Sequence, residues 1–335
     1  MTTSTHHYAQ SLQPAAPAVT IREFAMETIR QLKDSGRLRT SETYRTMLNS
    51  VTVFCRGADM PLRRIDSEFV KAYEHHLSLS GLTPNTTSFY MRKLRALLNR
   101  AAEAGLIPHP DFFRGVYTGV ASTVKRSLGI GAIRRLSALE LSPGSYEDLA
   151  RDMFMMSFYL RGMSFVDMAF LLKNDLRDGI LSYRRRKTGR LLSIGWTAEM
   201  QAIVRKYDSP ATPFLLPIFA GAESATRYSY LHRSYRINLH LKKLGERIGL
   251  DRPLTMYCAR HTWASAARNI GIPLSIISEC MGHTSERTTR IYLDALDERI
   301  IDSANSLVIH SVRSSGKKCK KISLIKKRCL QTAQY

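Results

Sequence analysis

Between residues 20 and 115 the chain is cut into helix-length pieces by start and stop signals, and this punctuation constrains its fold more than any other feature. Thr20 is followed by Glu23, the spacing of a capping box, and the run it opens closes near Gly36. A second run lasts from about Ser41 to Arg56, and a third from Asp66 to Gly81. The fourth starts at Thr83 with Pro84 in its first turn, where a missing N–H costs nothing. Within it Phe89, Leu94, Leu97, Leu98 and Ala101 recur at helical spacing, while Arg92, Lys93, Arg95 and Arg100 take much of the remaining surface. Those cations read either as a solvated face or as a face laid against phosphates. The stretch as a whole reads as four helices.

The stretch "GVYTGVASTVKRSLGIGAIRRLSALEL" that follows is rich in glycine and small residues, which marks a hinge between domains. It also carries Lys125, Arg126, Arg134 and Arg135. A chain of 335 residues is too long for one compact core, so two domains are expected. Beyond the hinge the pattern is mixed. Ser145 caps a helix through "YEDLARDMFMMSFYLRG", and a short one follows in "SFVDMAFLL". "GILSYRRRKTGRLLSIGW" alternates and turns at Thr188-Gly189, which predicts a β-hairpin. Helices resume at Thr197, around 230 to 248, in "LTMYCARHTWASAARNIG", after Pro273 and in "SERTTRIYLDAL". The expected organisation is a flexible arm over 1–18, a helical domain over 19–118, a hinge over 119–130, a mixed domain over 125–312 and a basic tail over 313–335. The fold class is mainly α with a small β-sheet.

Charge narrows the partners. Lys and Arg number 50 against 28 Asp and Glu, a net charge of +22. Such an excess favours a polyanion, because its counterions are released when basic side chains replace them. No apolar run of about 18 residues is present to span a bilayer, and the first residues lack the form of a signal peptide. Five cysteines (Cys55, Cys258, Cys280, Cys319 and Cys329), an odd number without metal-ligand spacing, suit a reduced, cytoplasmic protein without a disulfide framework, and a DNA partner would make it nucleoid-associated.

Four features of the second half have unremarkable readings one at a time. Arg161 follows an apolar helix and could cap its carbonyls; Lys187 sits in the hairpin; Tyr257 and Arg260 are three apart; His283 is followed at nine residues by Tyr292. Taken in order, "LRGMSFVDMAFL", "RRKTGR", "YCARHTWAS" and "MGHTSERTTRIYL" resemble the tyrosine recombinase (phage integrase) family, and more narrowly its Bacteroides-type integrases. The resemblance spans most of the chain. It implies a SAM-like core-binding domain before an integrase catalytic domain, and a site of Arg161, Lys187, Tyr257, Arg260, His283 and Tyr292. It also implies cleavage and rejoining of double-stranded DNA through a 3′-phosphotyrosine by a homo-tetramer assembled on DNA, with a monomer or weak oligomer when free. No cofactor and no metal are expected.

The residue chemistry is compatible with those roles. Arg161 and Arg260 would supply guanidinium forks that match phosphate oxygens in shape and charge. A phenol with a pKa of roughly 10 needs such a cationic pocket to attack near neutral pH. A phosphotyrosine conserves bond energy, so rejoining needs no nucleotide, and no G-x-x-x-x-G-K-[ST] loop is present. By the family's assignment Lys187 protonates the departing 5′ oxygen, although Arg184, Arg185, Arg186 and Arg190 crowd it. The family's usual H-x-x-R reads here as Tyr257-x-x-Arg260. A phenol donates a hydrogen bond but is a poor base near pH 7, so either that position needs only a donor or the Tyr292 proton goes elsewhere, with His283 and His261 as candidates. His261 lies about 100° around the helix from Arg260, which suits a structural role. Asp167 reads either as an acid that orients an arginine or as a solvent-facing one. Type IB topoisomerase-like relaxation and a catalytically inactive DNA-binding protein are the competing functions. The type of recombination — integration, excision, inversion or resolution — stays open.

Overall fold

The structure, a computed structural model, describes residues 19–108, 111–121 and 126–293, with 302, 305, 306, 308 and 309. The expected arm (1–18), Lys125 and the basic tail (313–335) lie outside the described residues. The chain divides into two units, Met1–Thr123 and Val124–Tyr335.

The first unit holds α1 (Ile21–Asp34), α2 (Leu38–Phe54), α3 (Ser67–Leu79) and α4 (Pro84–Glu103), with a 3-10 turn at Leu62–Arg64. The capping box forms as the sequence predicts: the Glu23 amide donates to the Thr20 hydroxyl at 3.2 Å, and the Thr20 amide to the Glu23 carboxylate at 3.0 Å. Asp66 and Thr83 accept the amides of Phe69 and Thr86 in the same way. Gly36 and Gly81 end their helices at φ 73° and 71°, a left-handed turn that costs glycine nothing. Leu94, Leu97, Leu98 and Ala101 are fully buried, together with Met91. Phe89 differs from expectation: it is only half-buried, and Ser88 beside it is the buried residue, donating to the Gly119 carbonyl at 2.6 Å. The α4 cations are only partly a free basic face. Arg92 and Arg95 are exposed, but the Lys93 ammonium lies 5.2 Å from the Tyr44 ring and the Arg95 guanidinium 5.9 Å from that of Phe113.

The second unit runs α5 (Ile130–Ser137), α6 (Tyr146–Tyr159), α7 (Phe165–Ala169), β1 (Leu176–Arg177), β2 (Ile180–Arg184), β3 (Leu191–Gly195), α8 (Ala198–Tyr207), α9 (Arg227–Arg247), α10 (Met256–Asn269), α11 (Leu274–Cys280) and α12 (Glu286–Arg290). Its core gathers Met153 and Phe154 of α6, Leu241 and Leu244 of α9, and Ala259 of α10. The predicted hairpin is β2–β3, and the short β1 pairs with β2 to make an antiparallel sheet in the order β1-β2-β3. Leu181 and Tyr183 point to the core and Ser182 and Arg184 to solvent, the period-2 alternation that fixes register. An ion cluster fastens α8 to α6: Lys206 pairs with the buried Asp148 and Asp152, and the Tyr207 hydroxyl donates to Asp152 at 2.8 Å. Among the described residues no helix is long and apolar enough to cross a membrane.

Two elements depart from the sequence reading. The stretch read as hinge is interrupted by α5, whose Ile133 and Leu136, three apart, are buried against the core. Its glycines at 129 and 131 hid this short amphipathic face. The last predicted helix, "SERTTRIYLDAL", is helical over only Glu286–Arg290; Ile291 and Tyr292 form a turn, and 294 to 296 lie outside the described residues. Tyr292 thus stands past the helix rather than on it.

Leu97 is fully buried in the first unit's core, so Leu97→Ala should lower the unfolding free energy by ~2–5 kcal/mol in urea titrations.

Candidate active site

The site begins where α6 ends. Leu160 caps the helix, and Arg161 and Gly162 both adopt left-handed backbone, at φ 58° and 71°. That conformation is costly for arginine and is held by Ser157, whose carbonyl accepts the Gly162 amide at 2.8 Å and whose hydroxyl donates to the Met163 carbonyl at 2.7 Å. Arg161 is thereby presented half-exposed, with Nη1 donating to the Ser193 carbonyl on β3 at 3.3 Å. Gly162 is required by space as well as by φ: a Cβ there would lie 2.8 Å from the Arg260 Cα.

Arg260, on α10, is 5% exposed and ties three segments together. Nη1 donates to the Gly162 carbonyl at 2.6 Å, and Nη2 donates to the Met281 carbonyl at 2.7 Å and meets His283 Nε2 at 2.8 Å. Because the guanidinium can only donate, His283 Nε2 must accept, which leaves the proton on Nδ1 to donate to the Thr289 hydroxyl at 2.8 Å. Arg260 Nε is buried without a hydrogen-bond partner. Burial, then the Arg260, Arg185 and Lys187 charges, push the His283 imidazole down to about 3. The ring is therefore neutral throughout the physiological range. Burial and the Arg185 charge lower Arg260 from its usual value as well.

Tyr292 completes the cluster. Its ring stacks on His283 with centroids 5.2 Å apart, and the Arg260 guanidinium lies 5.2 Å from its centroid. Its backbone is held from α10, where His261 Nδ1 lies 3.1 Å and the Ser265 hydroxyl 3.4 Å from its carbonyl oxygen. Leu293 is buried beside Ala264, Ile277 and Met281 in a small separate core. Tyr257 is 44% exposed, with its ring 5.8 Å from that of Tyr292 and 4.7 Å from that of His261. Burial of its hydroxyl, reinforced by Tyr292, raises its pKa, so the phenol stays a donor.

Arg161, Tyr257, Arg260, His283 and Tyr292 are thus gathered in one region. Lys187 stands at its margin, exposed on the turn between β2 and β3, where its charge acts on His283. Asp167 behaves as neither sequence reading expected. It is 4% exposed, and its carboxylate accepts the Arg186 backbone amide at 2.9 Å and the Ser164 hydroxyl at 2.6 Å, so it grips the hairpin's main chain rather than a guanidinium. His261 is structural in holding the Tyr292 carbonyl, yet its ring lies 4.8 Å from that of Tyr292, inside the cluster.

Sequence reasoning missed Arg185, which is 7% exposed and donates from Nη1 to the Gly282 carbonyl at 2.6 Å. A signal existed: Arg185 continues the inward series Leu181, Tyr183 at spacing two. Thr289, fully buried under His283, had no such signal. Arg260, Arg185 and Arg161 all act on the Tyr183 phenol, yet its burial dominates and raises its pKa. Arg161, held by one long bond to a carbonyl, and Arg260, whose Nε has no partner, are the guanidiniums suited to a phosphate, while Arg185 is committed to the Gly282 carbonyl.

Residues 20–114 match the phage integrase SAM-like domain family and residues 223–299 the phage integrase family. The second match includes Tyr257, Arg260, His283 and Tyr292; Arg161 and Lys187 lie outside both. The chain is 23% identical over 242 residues to the tyrosine recombinase XerD of Listeria monocytogenes, covering 66% of this chain and 75% of that one. It is 24% identical over 276 residues to the tyrosine recombinase XerC of Roseiflexus castenholzii, covering 79% and 86%. In fold it resembles a lambda integrase dimer bound to a COC′ core site (TM-score 0.62, 16% identity, 82% of this chain and 96% of that one). It likewise resembles the Tn1549 transposon integrase in complex with circular intermediate DNA (TM-score 0.60, 16% identity, 86% and 99%).

Two measurements test this geometry. An unfolded imidazole binds its proton near its ordinary 6.5 and the folded His283 only near 3, so the unfolded state holds more protons in between. The stability owed to the neutral ring is complete above that range and is lost as pH falls through it. The stability advantage of wild type over His283→Gln in urea unfolding should therefore shrink from pH 7 to pH 4. Gly162→Ala combines the Arg260 clash with a left-handed φ, and should lower stability by ~1–3 kcal/mol in the same assay.

Proposed function

The chain belongs to the tyrosine recombinase (phage integrase) family, and on that premise we propose that it recombines double-stranded DNA at specific sites with Tyr292 as the nucleophile. The observation that carries this reading is the stacking of Tyr292 on a neutral His283 that is itself bonded to the buried Arg260. The phosphodiester enters beside Arg161, whose fork has one long bond to a carbonyl, and beside the unpartnered Arg260 Nε. Arg161 and Arg260 neutralise the charge that builds on the non-bridging oxygens as Tyr292 attacks. The Tyr257 hydroxyl donates a further hydrogen bond to the same oxygens. The Tyr292 phenol gives its proton to water as the bond from phosphorus to its oxygen forms, and the bond to the 5′ oxygen breaks, with Lys187 protonating the leaving oxygen. The product is a 3′-phosphotyrosine with a free 5′ hydroxyl, and reversal with a new 5′ hydroxyl rejoins the strands.

Surface chemistry supports a duplex partner. On α9, Tyr228 and Tyr235 stand 79% and 67% exposed, on a helix that also exposes Leu231, His232, Lys242 and Lys243. Cations for phosphates and aromatic rings for base edges or sugars make this a DNA-contacting face. The assembly is a tetramer on DNA with two protomers active at a time. A lambda integrase tetramer bound to a Holliday junction has the same fold as this chain, at TM-score 0.59 and 16% identity.

The test is covalent capture: lysis of host cells in strong detergent without crosslinker, then sequencing of the DNA that stays attached to the protein. Attachment enriched at one or a few loci, and lost in Tyr292→Phe while reversible DNA binding persists, is the expected outcome. Scattered attachment would identify a relaxing enzyme, and none at all a DNA-binding protein without catalysis. Arg260→Ala should slow attachment by ~10²–10³-fold, the usual effect of removing one transition-state donor.

A further inference from the structure

The turn that carries Lys187 is bound down from three sides. Across its base the Arg185 amide donates to the Arg190 carbonyl at 2.8 Å, and the Gly189 amide to the Arg185 carbonyl at 2.7 Å. From α7, Asp167 accepts the Arg186 amide at 2.9 Å. From the turn itself two arginines reach the loop after α11. Arg185 Nη1 donates to the Gly282 carbonyl at 2.6 Å and Arg190 Nη1 to the His283 carbonyl at 3.0 Å, while Arg190 Nη2 pairs with Glu279. The approach is close enough that a Cβ on Gly282, at φ 63°, would fall 2.7 Å from Leu192 Cδ1 and 3.2 Å from Arg185 Cδ.

Both arginines flank Lys187 and both end on carbonyls adjoining the His283 ring. We propose that Arg185 and Arg190 are positioning residues, which latch the hairpin to the Gly282–His283 loop and so hold the Lys187 ammonium at the 5′ oxygen that leaves a phosphodiester bound beside His283. This deepens the reading in which Lys187 is the proton donor, and rests on it. In the step concerned, the electron pair of the P–O5′ bond goes to the 5′ oxygen, which takes a proton from Lys187 and leaves the amine neutral.

A sulfur at the 5′ bridging position leaves as a thiolate and needs no proton, so it isolates this one step. The experiment measures the rate of covalent attachment to a nicked duplex carrying the site found by capture, with oxygen or sulfur at that position. The proteins are wild type, Lys187→Ala, Arg190→Met and Arg185→Met. Lys187→Ala should be slowed by ~10²–10⁴-fold with oxygen and close to wild type with sulfur. The two arginine variants should lose at least ~10-fold with oxygen and, like Lys187→Ala, recover with sulfur. If Lys187→Ala recovers but the arginine variants stay equally slow on both substrates, their role is structural and the proposal is overturned. Wild-type rates with oxygen in both arginine variants would overturn it too. If Lys187→Ala itself fails to recover, the proton-donor reading falls, and the latch with it.

Discussion

The second unit is organised around the burial of one guanidinium. Arg260 cannot shed its charge, and a buried arginine stripped of its partners costs several kcal/mol, so folding has to bring acceptors to it. It obtains them from the turn after α6, through Gly162, and from the loop after α11, through Met281 and His283. Three segments far apart in sequence are thereby fixed around one side chain. The steric need for glycine at 162, the left-handed Arg161 before it and the acceptor face of His283 all follow from that requirement.

What satisfies these arginines matters as much as that they are satisfied. Arg161, Arg185 and Arg260 donate to main-chain carbonyls of Ser193, Gly282, Gly162 and Met281, and Arg260 also to a neutral imidazole. Carbonyl dipoles meet the donors without cancelling the charge, so the site keeps a positive potential that carboxylates would have quenched. The nearby acid, Asp167, spends its charge on a backbone amide and a serine hydroxyl instead. Burial, before all else, holds His283 neutral, and the same potential adds to it, because a third cation beside Arg260 and Arg185 is disfavoured.

Tyr292 depends on both features. Its ring covers His283, while its main chain is anchored by α10 one residue beyond Arg260, at His261, and one turn further on, at Ser265. One helix therefore sets the position of both the charge and the phenol. This explains how a residue on a turn past α12 can be placed with little help from regular structure.

The chain of local signals was legible in the sequence. Thr20 with Glu23, Asp66, Thr83 with Pro84 and the glycines at 36 and 81 specify helix ends through bonds made within a few residues, so no partner segment is needed to read them. The β2–β3 hairpin is likewise local, and so is the order of Arg161, Lys187, Tyr257, Arg260, His283 and Tyr292 along the chain. Tertiary structure alone decided which side chains meet. It buried Arg185, turned Asp167 towards a backbone amide, brought Thr289 under His283, put His261 against the Tyr292 carbonyl and stopped the last helix at Arg290. Each of these results depends on a second segment supplying the acceptor, the donor or the wall. Periodicity in one segment carries no information about which segment will lie opposite.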